Sequence, residues 1–146
     1  MAVATTRSAV AEHVVFACLH NGGGSQMAAA FFNLLADPGR AIAVSAGTRP
    51  GERVAPEVVA AMKEVGVDLS RARPRLLTGD LVHRASLLVT MGLGVECPYV
   101  LGLRTESWSL GEPAGQPLSR VRAIRDNVGL MVAQLVSARG WARRSG

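Results

Sequence analysis

A chain of 146 residues is the usual size of one domain, long enough to bury a core without disulfides or metals as staples. At 49% hydrophobic and 18% charged it reads as globular rather than disordered, and no apolar run approaches the eighteen or so residues of a membrane helix, so no membrane association is expected. The net charge of +5 comes from arginines scattered from Arg7 to Arg144, and with aromatics at only 4% the stacking platforms of strand binders are missing, so no nucleic-acid partner is expected either.

Residues 1–11 read as a loose leader, since Glu12 and His13 interrupt any apolar core of signal-peptide quality. Residues 13–18, with β-branched Val14 and Val15, predict a buried strand. From Ser25 to Leu35 the spacing of Met27, Ala30, Phe31, Leu34 and Leu35 predicts a helix, N-capped by Ser25 and stopped by Asp37-Pro38-Gly39. A second strand spans 40–48, broken at Gly47, and Pro56 opens a helix that runs through Val58, Val59, Met62 and Val65 to Gly66. Thr78 caps a short helix within 77–85, which feeds a third strand over 86–91. After a loop with Gly92, Gly94, Cys97 and Pro98, a weak strand is expected from Leu103 to Trp108. A long helix from about Pro117 to Ser137 carries Val121, Ile124, Val128, Met131 and Leu135 on one stripe, and residues 140–146 read as a frayed end.

Strands alternating with helices predict an α/β domain: a doubly wound, four-stranded parallel sheet with helices on both faces. Ligands of such sheets bind beyond the carboxyl ends of the strands. That rule points to residues 18–25, 91–98 and 108–115.

The first of these loops holds a thiol at the mouth of three glycines. Backbone amides between Cys18 and Ser25 can converge into an anion-binding nest continued by the free amides of the helix start. A thiol at a helix N-terminus ionises readily and becomes a nucleophile at neutral pH. The residues alone leave a second reading open, in which Cys18 is a small buried side chain at the end of a strand. Gly22-Gly23-Gly24 fits neither the dinucleotide pattern, which needs a third spaced glycine, nor a nucleotide P-loop, which needs a lysine. His13, His20 and His83 show no metal-ligand spacing with the cysteines, so no metal is expected. Two cysteines are too few for a secreted disulfide scaffold and fit a reducing cytoplasm.

The stretch Cys-Leu-His-Asn-Gly-Gly-Gly-Ser-Gln-Met-Ala, residues 18–28, resembles the cysteine loop of the low-molecular-weight protein tyrosine phosphatase superfamily, and within it the thiol-linked arsenate reductases. The likeness continues in order through "SAGTRPGERVAPEVVAAMKEVGVDLS", "LLVTMG", "CPYV" and "ESWSLGEPAGQPLSRVRAIRD", and so covers nearly the whole chain as one domain. The resemblance implies Cys18 as nucleophile, Asn21 as the brace of the loop and Ser25 as the hydroxyl bonded to the sulfur. It further implies Gly22, Gly23 and Gly24 as the oxyanion cradle, Glu112 as general acid in place of an aspartate, and Cys97 as the redox-loop cysteine. His20 and Arg49 are candidate substrate-binding residues, Arg49 as a substitute cation.

The family's loop arginine, six residues after the cysteine, falls on Gly24. Removing one such electrostatic donor typically costs on the order of 10² to 10³ in rate. Leu93 stands where close relatives often carry a third cysteine, so a three-cysteine relay cannot run. The reductant implied is an external low-molecular-weight thiol with its redoxin, as in the mycothiol-linked branch, or Cys97 closing on Cys18; no bound cofactor is expected. Three functions follow from the resemblance: an arsenate reductase or arsenate:thiol transferase serving arsenic resistance, a weakened homologue that binds an oxyanion or other ligand without turnover, and a tyrosine phosphatase. Ser25-Gln26-Met27 favours the first over the third.

Overall fold

The computed structural model of the chain describes residues 10–92, 95 and 100–144. Four strands, β1 (Glu12–Cys18), β2 (Ala41–Gly47), β3 (Leu87–Met91) and β4 (Arg104–Trp108), alternate with α1 (Gly24–Leu35), α2 (Pro56–Lys63), α3 (Gly79–Arg84) and α4 (Leu118–Ala138). The sheet is parallel throughout, in the order β2-β1-β3-β4. The doubly wound expectation holds, and every expected element is present within two residues at each end except α2, which ends at Lys63 rather than Gly66 and so leaves Val65 outside it and exposed.

The centre of the sheet follows from composition. From Val14 to Cys18 every residue of β1 is buried, as a strand covered on both faces requires, and no polar side chain interrupts the run. β4 closes one edge and carries Arg104, Thr105 and Glu106, which deter pairing with another chain. The two faces differ in depth. Val14, Phe16 and Cys18 face a large core built with α1, α2 and α4, whereas Val15, Ala17 and Leu88 face a thin layer with Leu77, Ala85 and Leu103.

Two further expectations are corrected. The buried face of α1 is Ser25, Gln26, Ala28, Ala29 and Phe32 with Met27, while Leu34 is 54% exposed and Leu35 is also exposed. The helix is rotated so that its first turn presents Ser25 and Gln26 to the cysteine loop, and small Ala28 and Ala29 then allow close approach to the sheet. Phe32 reaches the core edge-on to Phe16, with ring centroids 6.0 Å apart.

The second correction concerns residues 140–144, which dock rather than fray. Gly140, with φ of +72°, ends α4 in the left-handed conformation, and the Trp141 N–H returns to Val136 O at 2.9 Å. Trp141 is thereby buried against Phe32 at 5.8 Å, and Asp37 N–H donates to Trp141 O at 2.7 Å. Glycine followed by an apolar residue just past a helix is the sequence signature of this cap.

On the far side, Glu64 ties α2 to α4. Its carboxylate accepts from Arg122 at 2.7 Å and from Arg125 at 2.8 Å, and these two guanidinium groups lower its pKa from 4.5 to about 2. Arg125 is itself buried and also donates to Ala61 O at 2.9 Å.

Candidate active site

β1 ends at Cys18, level with Gly47 of β2, its register partner. A Cβ on Gly47 would stand 2.7 Å from Leu19 O and 3.0 Å from Asn21 Cβ, so a glycine is what lets the loop fold back over the strand end. The loop carbonyls are then taken by the segment after β2. Thr48 N–H donates to Cys18 O (3.1 Å), Arg49 N–H to Leu19 O (2.8 Å), Gly51 N–H to His20 O (3.0 Å) and Ala55 N–H to Gly22 O (3.0 Å). The N–H groups of Leu19, His20, Gly22 and Gly23 donate to no described backbone carbonyl. Together with the free amides of the first turn of α1 they are donors left available to an anion.

The sulfur is held from two sides. Asn21 N–H donates to Cys18 Sγ at 3.1 Å, and Ser25 Oγ lies 2.8 Å from the same atom. Ser25 Oγ already accepts from Asn21 Nδ2 at 2.8 Å, which leaves its own hydrogen for the sulfur. Both bonds reward negative charge on Sγ. Asn21 is fully buried with φ of +54°, a left-handed conformation that asparagine tolerates better than most residues. Its Oδ1 accepts from Arg75 N–H (2.9 Å) and Gln26 Nε2 (3.2 Å), and Gln26 Nε2 also reaches Asn21 O (3.1 Å) and Arg73 O (3.2 Å). Ser25 is therefore not the N-cap expected for α1: Gly23 occupies that position without a side-chain bond, because the serine hydroxyl is committed to Cys18.

Across the loop lies the segment that follows β4. A Cβ on Gly23 would stand 2.7 Å from Glu112 Oε1 and 2.8 Å from Pro113 Cγ, so the carboxylate sits directly over the glycine backbone. Glu112 Oε1 accepts from Ala114 N–H at 3.2 Å. Three residues after Glu112, Gly115 N–H donates to the Glu57 carboxylate in the first turn of α2, and that bond holds the Glu57 pKa below its usual value. Trp108, buried against Phe16 at 5.6 Å, anchors the start of the segment, with its Nε1 donating to Glu106 Oε1 at 3.1 Å.

Between loop and segment opens a cavity of about 870 Å³ with Cys18 at its base and Gly24, Met91, Trp108, Leu110 and Glu112 around it. Cys18 is only 6% exposed, so this cavity is the approach to its sulfur. The ionisable groups among its described lining residues are Cys18, His20 and Glu112. Among the described residues no three His, Cys, Asp or Glu side chains gather to hold a metal.

A sequence model described as low molecular weight phosphotyrosine protein phosphatase matches residues 13–139. The chain belongs to this family. Within it the chain is homologous to arsenate reductases. It is 30% identical over 128 residues to the arsenate reductase of Staphylococcus aureus strain Newman, covering 85% of this chain and 95% of that protein. Among solved structures, the thioredoxin-dependent arsenate reductase of Corynebacterium glutamicum superposes with a TM-score of 0.77 at 30% identity, over 94% of this chain and 66% of that one. An arsenate reductase solved in a phosphate-binding state gives a TM-score of 0.77 at 30% identity, over 87% of this chain and 98% of that one.

Of the site residues read from the sequence of this family member, Cys18, His20, Gly24 and Glu112 line the cavity, while Asn21 and Ser25 lie buried beneath it as braces. Gly22 and Gly23 carry the loop backbone between them. Arg49 is not brought to the cavity: it joins the loop through its backbone N–H, and its exposed side chain is not among the lining residues. Cys97 lies outside the described residues. Sequence reasoning reached Met91 and Leu110 only as members of the loops after β3 and β4, and missed Gln26 as the second brace and Glu57 as the tie to the Glu112 segment. Gln26 had a signal in the Ser-Gln-Met-Ala run; Glu57 comes from an element distant in sequence.

Proposed function

We propose that the protein is a thiol-dependent arsenate reductase or arsenate:thiol transferase with Cys18 as nucleophile. The observation that supports this best is the sulfur itself, held by Asn21 N–H and Ser25 Oγ at the base of a cavity whose opposite wall carries a carboxyl. An oxyanion seated on the loop amides presents arsenic to Sγ. The S–As bond forms as an As–O bond breaks, and Glu112 passes a proton to the departing oxygen. An external low-molecular-weight thiolate then attacks the adduct. Attack at sulfur forms a disulfide and returns the S–As electron pair to arsenic, which leaves trivalent; a further thiol restores Cys18. Cys97 is an alternative second thiol. A thiol-redoxin system is the partner this chemistry requires.

A binding role without turnover is the second reading, favoured by the lack of lysine or arginine among the described lining residues. Arsenate reduction by the purified protein, with a low-molecular-weight thiol and its redoxin, separates the two. We expect turnover in the wild type and a loss of at least about 10³-fold in Cys18→Ser. Turnover that survives in Cys18→Ser sinks the mechanism, and an inert wild type that still binds arsenate supports the second reading.

A further inference from the structure

Gly24 removes two things from the cavity at once, a positive charge and a side chain. The resemblance places the family's oxyanion-clamping arginine at this position. Among the described residues, a Cβ built on Gly24 meets only Met91 Cε, at 3.4 Å, and Gly24 lines the same cavity as Cys18, so a side chain there would project into that cavity. Met91, Trp108, Leu110 and Leu19 give the cavity an apolar part, beside the polar side chains of His20, Ser107, Ser109 and Glu112. An oxyanion that matches both losses gives up one charged oxygen and carries an apolar group in its place.

We infer that the ligand class of the Cys18 cavity is a singly charged organyl arsonate, RAsO3H⁻, in preference to inorganic arsenate. This rests on the arsenate reductase reading and narrows its substrate. An aryl or alkyl arsonate carries one negative charge near neutral pH, where arsenate is divided between one and two, so it needs less positive compensation in a cavity whose described lining carries no lysine or arginine. Two of its oxygens meet the loop amides, the third departs toward Glu112, and R occupies the space beside Gly24 against Met91 and Trp108. Phosphate monoesters, including phosphotyrosine, gain the apolar group but keep the second charge, so they match only one of the two changes.

The reaction balances with two thiols: RAsO3H⁻, one proton and two R′SH give RAs(OH)2, R′SSR′ and water. Cys18 Sγ forms the bond to arsenic while an As–O bond breaks and the oxygen leaves as water. An external low-molecular-weight thiolate then bonds to Sγ, the S–As electron pair passes to arsenic, and a further thiol reduces the resulting Cys18 mixed disulfide.

The test compares phenylarsonate with arsenate, by product chromatography for kcat/KM and by calorimetric titration of Cys18→Ser for binding. Wild type is expected to favour phenylarsonate by about tenfold or more, and Gly24→Arg to shift that ratio toward arsenate by on the order of 10². Gly24→Leu fills the space without charge, and is expected to lose phenylarsonate without gaining arsenate. A wild type that prefers arsenate overturns the inference alone. Loss of that preference in Arg120→Ala would then assign the missing charge to the Arg120 guanidinium, whose Nη2 lies 3.6 Å from a Cβ built on Gly111 at the cavity wall. Reduction of neither compound, with phenylarsonate still bound more tightly, defeats the reductase reading and upholds the ligand class. Binding of neither overturns both.

Discussion

The two sides of the Cys18 cavity are built on opposite principles. On the sulfur side, Asn21, Ser25 and Gln26 interlock through hydrogen bonds of 2.8–3.2 Å, and among the described residues no buried side-chain polar atom is left without a partner. On the facing side, Trp108, Leu110 and Pro113 alternate with Ser107, Ser109 and Glu112, and the carboxylate of Glu112 rests on the backbone of Gly23. The difference teaches which part of the chemistry this chain holds rigidly: the geometry of the nucleophile is over-determined, and the shape and charge of what it meets are left open. Interlocked buried networks specify one arrangement because each member would be costly to leave unsatisfied.

Gly47→Ala is the sharpest way to break the first side. Its methyl group would meet a backbone carbonyl at 2.7 Å rather than a movable side chain. Thermal unfolding is expected to show a loss of about 3 kcal/mol, with iodoacetamide labelling of Cys18 slowed in step. Labelling at the wild-type rate would show that the loop does not depend on that approach.

Asn21→Ala acts more locally. It removes the bonds to Ser25 Oγ, Arg75 N–H and Gln26 Nε2 and strains a left-handed position, so labelling at pH 7 should slow by about tenfold. Gly23→Ala probes the opposite side. Its Cβ displaces Glu112 and Pro113 while the sulfur keeps its partners, so kcat should fall several-fold, within about tenfold, with the labelling rate unchanged. Equal effects on both readouts would mean that the two sides are not independent.

The smallest expected effect lies far from either side. The Glu64 pKa of about 2 in the folded protein lies below its usual 4.5, so its ion pairs stabilise the fold fully above pH 4.5, and that contribution is lost as pH falls toward 2. Glu64→Gln should therefore flatten the acid limb of the stability profile between those values, leaving Cys18 labelling at pH 7 untouched. An acid limb identical to wild type would show that the pairs with Arg122 and Arg125 do not couple to folding.

Legibility from sequence followed the range of the interaction. β1 and its cysteine were readable because an unbroken apolar run has few alternatives to a buried strand. Thr78 was readable as a cap because its Oγ1 needs only the Leu81 N–H three residues on, at 3.2 Å. Ser25 was misread as a cap because the same side-chain chemistry serves an N-terminus or a neighbouring thiol, and only the position of β1 decides between them. Leu34 and Leu35 marked the helix correctly by their spacing yet lie exposed, because helical spacing gives a stripe but not its rotation against the sheet.

By itself, then, the sequence determined the parallel α/β domain, the place of Cys18 at the head of a glycine loop, and the glycine at position 24 six residues on, since each is a property of consecutive residues. Tertiary structure alone decided that Arg49 stays out of the cavity, that Glu112 lies over Gly23, that Glu57 ties down the segment behind it, and that Met91 comes to stand beside Gly24. The physical reason is that these contacts join the carboxyl ends of strands far apart in the chain. Their meeting is set by sheet order and helix rotation, which pattern and spacing along one segment do not encode.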